Sequence, residues 1–64
     1  MKTINFKSKS GIQGFDKKTI FFINNIPTYG NVKVYYKEGI LERFFWMYKT
    51  ELETKFNNKD FIKI

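Results

Sequence analysis

A chain of 64 residues suffices for one small domain, because an independent hydrophobic core typically needs about 50 residues or more. The sequence has no cysteine and no histidine, which excludes disulfide scaffolds, thiolate or imidazole metal sites, and nucleophilic catalysis of the Cys/His or Ser/His type. Twelve lysine and arginine residues against six acidic residues give a net charge of +6. We therefore expect a basic, non-enzymatic binding module of one domain, residues 1–64, without cofactor or metal.

The sequence shows no segment typical of a membrane-bound or secreted chain. Its longest apolar run covers residues 44–48, far below the roughly 18 residues of a membrane span. Residues 3–10 alternate polar and apolar side chains, where a signal peptide would be continuously apolar. These features predict a soluble, cytoplasmic protein that does not bind membranes.

The first half of the chain contains two predicted strands. Residues 3–8 alternate and predict a half-buried strand, and residues 19–25 are apolar on both faces, as in a central strand. The connection at 9–18 is rich in glycine and lysine, with Ile12 and Phe15 as the apolar side chains expected to tether it to the core.

The middle of the chain gives the clearest pattern. Pro27 and Gly30 bracket a turn. In residues 31–37, Val32, Val34 and Tyr36 share one side and Lys33, Tyr35 and Lys37 share the other, which predicts a third antiparallel strand. Glu38 and Gly39 end this strand. At the other end of the chain, residues 61–64 predict a short fourth strand.

Residues 40–56 support two interpretations. As a helix, the segment places most of its large apolar residues on one broad face, with Trp46 outside that face. As strands, residues 40–48 would form a hairpin with 32–37, and residues 52–56 would pair with 61–64. We favour the helix, because five consecutive apolar residues in a strand would need cover on both faces.

The predicted fold class is therefore α+β: a small three- to four-stranded antiparallel sheet packed on one C-terminal amphipathic helix. The alternative is a small all-β barrel. In a chain this short, the free energy gained by burying apolar side chains is only about as large as the entropy cost of ordering the chain. We therefore expect nearly every large apolar side chain to be buried in the core, or against a partner or a second copy in a homodimer.

Charge is distributed unevenly along the chain. Residues 1–37 hold seven lysines and one acidic residue, whereas the basic and acidic residues of 38–64 cancel. If the first and third strands are neighbours, their lysines share the face that turns away from the helix. Such a face suits single-stranded nucleic acid or a nucleoprotein complex, because lysines contact phosphates and aromatic rings stack on bases. The candidate nucleic-acid-binding residues are Lys7, Lys9, Lys17, Lys18, Lys33, Tyr35 and Lys37.

Two other interpretations stay open. Lysines on a strand are also ordinary solubilising residues, and no RNP-type, KH or helix-turn-helix signature accompanies them. Alternatively, the protein is a small inhibitor of the kind that phages and mobile elements encode against defence enzymes, including anti-CRISPR-like proteins, and it blocks a host protein by direct binding. Arg43 and Trp46 are the candidate partner-binding residues, because exposed tryptophan and arginine often dominate protein interfaces.

Overall fold

The computed structural model describes residues 3–12 and 14–64. Within this part of the chain, five strands and one helix form, and the helix is too short and too polar to cross a membrane. The elements are β1 (Ile4–Ser8), β2 (Phe21–Ile23), β3 (Asn31–Glu38), β4 (Leu41–Tyr48), α1 (Lys49–Asn57) and β5 (Phe61–Lys63).

The strands form one antiparallel sheet in the order β4-β3-β2-β1-β5. The α+β class is confirmed, as are the strands predicted in residues 3–8, 19–25, 31–37 and 61–64. The sheet is open, so the all-β barrel is wrong, and it has five strands where three or four were predicted. The first and third strands are not neighbours, because β2 lies between them.

The helix predicted over residues 40–56 is wrong in its first half. Residues 41–48 form β4, which pairs with β3 over its whole length after a tight turn at Gly39 and Ile40, where Gly39 has a φ of 64°. The hairpin interpretation is thus confirmed for this half. It is wrong for residues 52–56, which lie in α1, while β5 pairs with β1.

The register divides the sheet into two faces, because successive side chains of a strand point to opposite sides. We call the side covered by α1 the core face. The other side is the open face, and α1, the one helix of the described residues, does not cover it. The open-face residues are Asn5, Lys7, Phe22, Asn31, Lys33, Tyr35, Lys37, Glu42, Phe44, Trp46, Tyr48 and Ile62.

The core is built around Phe6, which is completely buried. Its ring centroid lies 4.8 Å from that of Phe61, 5.1 Å from that of Phe56 and 5.7 Å from that of Phe21. The helix adds its one fully buried side chain, Leu52. The side chains of Ile12 and Phe15 pack against this cluster from the connection after β1, which confirms them as tethers.

A polar contact ties the turn between α1 and β5 to the end of β1. The carboxylate of Asp60 accepts hydrogen bonds from the Ser10 hydroxyl and from the Ser10 backbone N–H, at 2.5 and 3.0 Å. The Lys55 ammonium lies 3.5 Å away, and the Lys9 N–H donates to the Asp60 carbonyl oxygen. The hydrogen bonds from Ser10, aided by Lys55, lower the pKa of Asp60 below its ordinary value of 3.8.

This contact predicts a pH-dependent contribution to stability. Because the pKa of Asp60 is lower in the folded state, its contribution is present above pH 3.8 and is lost as the pH falls through the folded-state pKa. We expect Asp60→Asn to lower the urea midpoint at neutral pH. The difference from the wild type should shrink steadily below pH 3.8. A difference that is constant from neutral to strongly acidic pH would contradict this role.

Candidate nucleic-acid interface on the open sheet face

Three aromatic side chains form a continuous row across the middle of the open face. Phe22, Tyr35 and Phe44 are direct cross-strand neighbours on β2, β3 and β4. The rings of Phe22 and Tyr35 stack with centroids 5.3 Å apart and planes inclined by 16°. The Phe44 ring follows at 6.1 Å from that of Tyr35. The sheet therefore holds these rings at fixed positions.

Lys33 lies within this aromatic surface. Its ammonium nitrogen is 4.1 Å from the ring centroid of Phe44, 5.6 Å from that of Trp46 and 5.8 Å from that of Tyr35. A cation at these distances is attracted to the negative faces of the rings. The contact keeps the positive charge of Lys33 close to the rings.

The edge strand β4 exposes large aromatic side chains. The exposed fractions of Phe44, Trp46 and Tyr48 are 48%, 59% and 69%. All three alternate along β4 with Phe45 and Met47, which turn to the core face and pack against the core. These three side chains are not buried in the core, so of the two expected alternatives only burial against a partner or a second copy is left for them.

Lysines flank the aromatic row on both sides. Along the strands, Lys37 of β3 and Lys7 of β1 lie on one side of the row, and Lys33 lies on the other. One acidic side chain, Glu42, is the cross-strand neighbour of Lys37. The open face therefore combines rings at its centre with positive charge at its flanks.

A shallow depression of about 600 Å³ lies beside Phe22 on the same face. Lys18 and Lys37 both line it, so the loop before β2 contributes a further lysine to this surface. The structure thus brings together Lys7, Lys18, Lys33, Tyr35 and Lys37 of the sequence-predicted residues.

Two predicted lysines lie elsewhere. Lys9 lines a different depression near the helix, together with Lys59 and Lys63. Lys17 lies in the connection after β1, where its aliphatic chain packs beside Gly11. β1 ends at residue 8, and the hydrogen bond from the Lys9 N–H to the Asp60 carbonyl oxygen extends its pairing by one residue. Lys9 thus lies at the β5 edge of the sheet, beside Ile62, and not at the aromatic row.

Arg43 and Trp46 do not form a joint surface. They lie three residues apart on β4 and therefore point to opposite faces of the sheet. The Arg43 guanidinium forms an exposed ion pair with Glu38, with 3.2 Å between Nε and Oε1. Trp46 belongs to the open face, whereas Arg43 does not.

Sequence reasoning missed Phe44 and Tyr48, because the helix assigned them to the core. Of the two adjacent phenylalanines of β2, Phe22 lies on the open face and Phe21 is buried in the core. The signal for the missed residues was present in the alternation of residues 44, 46 and 48, provided that the segment is interpreted as a strand.

Comparisons with known proteins identify no relative: no protein-family model, curated protein or solved structure matches the chain. The chemistry of the open face is therefore the basis for the function proposed below.

Proposed function

We propose that this protein binds single-stranded nucleic acid, alone or within a nucleoprotein complex, across the open face and without catalysing a reaction. The observation that carries this proposal is the row formed by Phe22, Tyr35 and Phe44, with Lys7 and Lys37 on one flank and Lys33 on the other. Stacking on rings and neutralisation of phosphates are the two interactions that single-strand binders combine.

The shape of the surface favours a single strand over a duplex. The bases of a duplex are stacked on each other and are not available to rings on a flat sheet, whereas the bases of a single strand can be splayed onto them. Trp46 and Tyr48 extend the aromatic surface to the sheet edge. Neighbouring strands lie about 4.8 Å apart, so the open face is about 14 Å wide from β1 to β4.

The test is a salt titration of oligonucleotide binding. Binding is monitored through the fluorescence of Trp46, the one tryptophan of the chain. Each phosphate neutralised in a single strand contributes about 0.7 to the slope of log affinity against log salt concentration. Contacts by Lys7, Lys33 and Lys37 therefore predict a slope of about −2. A duplex of the same sequence should bind more weakly. Absence of binding at about 50 mM salt would exclude the proposal.

Direct binding of a protein is the second candidate function, and the exposed edge of the sheet favours it. β4 is an eight-residue edge strand with Leu41, Phe44, Trp46 and Tyr48 exposed. An apolar edge strand of this length readily accepts a strand from another chain. A nuclease-treated pull-down separates the candidates: recovery of one stoichiometric protein that Trp46→Ala abolishes supports inhibition by direct binding, whereas nuclease-sensitive recovery supports nucleic acid.

A further inference from the structure

The depression beside Phe22 has a different character from the rest of the open face. Besides Lys18 and Lys37, it is lined by Ile20 and Phe22 and by the polar side chains of Thr3, Asn5 and Thr19. Its volume of about 600 Å³ exceeds that of one nucleobase, and it opens directly onto the face. The depression thus combines an apolar wall, polar groups and a cationic rim.

The stacking of the aromatic row determines where a base can be added. Phe22 and Tyr35 face each other at 5.3 Å with nearly parallel planes, so neither inner ring face is free. The outer face of Phe22 turns toward β1, where Asn5 is the direct cross-strand partner. A base placed there would continue the existing stack and lie above Asn5, inside the depression.

Asn5 has the chemistry to recognise the edge of such a base. Its side chain is exposed and forms no hydrogen bond with any other described residue, whereas Thr3 nearby donates to the side-chain oxygen of Asn24. An asparagine amide offers one acceptor and two donor hydrogens, which can pair with a base edge that presents a donor beside an acceptor.

We propose that the depression is a nucleotide pocket that makes binding dependent on base identity. One base of the strand stacks on the outer face of Phe22 and hydrogen-bonds to Asn5, and the adjoining phosphate contacts Lys18 and Lys37. This inference rests on the function proposed above and adds to it: the aromatic row binds any base, whereas the pocket discriminates among bases.

The test compares Asn5→Ala with the wild type on homo-oligomers of adenylate, cytidylate and thymidylate of equal length. For the wild type, we expect affinities that differ at least fivefold between the best and the worst oligomer. Asn5→Ala should reduce this ratio to below twofold and leave the salt slope unchanged, because no charge is removed. Asn31→Ala is the matched control on the same face outside the pocket, and it should retain the full ratio.

The outcomes separate this inference from the proposed function. If the wild type binds no oligomer, both are wrong. If all three oligomers bind equally and Asn5→Ala has no effect, the pocket is wrong while single-strand binding stands. A ratio that persists in Asn5→Ala would also overturn the pocket, because the discrimination would then come from another part of the open face.

Discussion

Replacement of Phe6 by alanine is expected to destabilise the domain by about 3–5 kcal/mol. Phe6 is completely buried and contacts Phe21, Phe56 and Phe61, which belong to three different elements. Removal of a buried phenylalanine side chain typically costs about 3–5 kcal/mol. At about 0.05–0.15 kcal/mol per residue, a domain of this size has a total stability of roughly 3–10 kcal/mol. The loss is therefore a large fraction of the free energy of unfolding.

Urea denaturation followed by circular dichroism measures this effect, and Phe44→Ala is the matched control. Phe44 carries the same side chain but is 48% exposed on the open face, so its removal should cost about 1 kcal/mol or less. A loss from Phe6→Ala no larger than that from Phe44→Ala would contradict the assignment of the two faces.

The strands that sequence reasoning predicted correctly are those whose pattern is local. Residues 31–37 place Val32, Val34 and Tyr36 on one side and Lys33, Tyr35 and Lys37 on the other, a period of two that fits a strand and no helix. The apolar residues of β2 predict a strand with apolar side chains on both faces, and the structure places Phe21 and Ile23 on the core face and Phe22 on the open face.

The first half of residues 40–56 is mispredicted because two periods coincide there, whereas the second half forms the predicted helix. A run of five apolar residues fits a helical stripe as well as it fits alternation, and only pairing with β3 across the turn at Gly39 and Ile40 decides between them. The outer face of this apolar strand is not covered: it carries Phe44, Trp46 and Tyr48 in the open, so five consecutive apolar residues do not require a helix.

The composition of the candidate site could be predicted from the sequence more readily than its geometry. Lys33, Tyr35 and Lys37 share a face because they lie on one strand, and alternation alone establishes this. The contribution of Lys7 and Lys18, and the position of Lys9 at the β5 edge, depend on the strand order. Neither is encoded in a local pattern.

The exposed rings of β4 do not contribute the stability that burial would give, and this bears on the function of the protein. A small domain gains its stability from apolar burial, yet this one leaves three aromatic side chains of β4 at a sheet edge. Exposed apolar clusters of this kind typically mark binding surfaces. Because lysines flank the rings on both sides, a polyanion with stackable groups matches this surface in both shape and charge.

Replacement of both Lys7 and Lys37 by glutamine is expected to weaken the binding of single-stranded oligonucleotides about 25-fold at 0.1 M salt. Both lysines lie on the open face, on the same flank of the aromatic row. Each phosphate that is no longer neutralised reduces the magnitude of the salt slope by about 0.7, so the double variant should have a slope smaller by about 1.4. At 0.1 M salt the logarithm of the salt concentration is −1, so a slope smaller by about 1.4 lowers log affinity by about 1.4, which is the decrease of about 25-fold.

The matched control is the double replacement of Lys59 and Lys63 by glutamine. These lysines are also exposed. They line the depression at the β5 edge of the sheet, opposite β4, and they do not line the depression beside Phe22. Both double variants have a net charge of +4, because each removes two of the twelve basic residues from a chain of net charge +6. A purely nonspecific attraction would weaken binding equally in the two, whereas a defined surface loses affinity in one alone. Equal losses would therefore show that the open face is not where the strand binds.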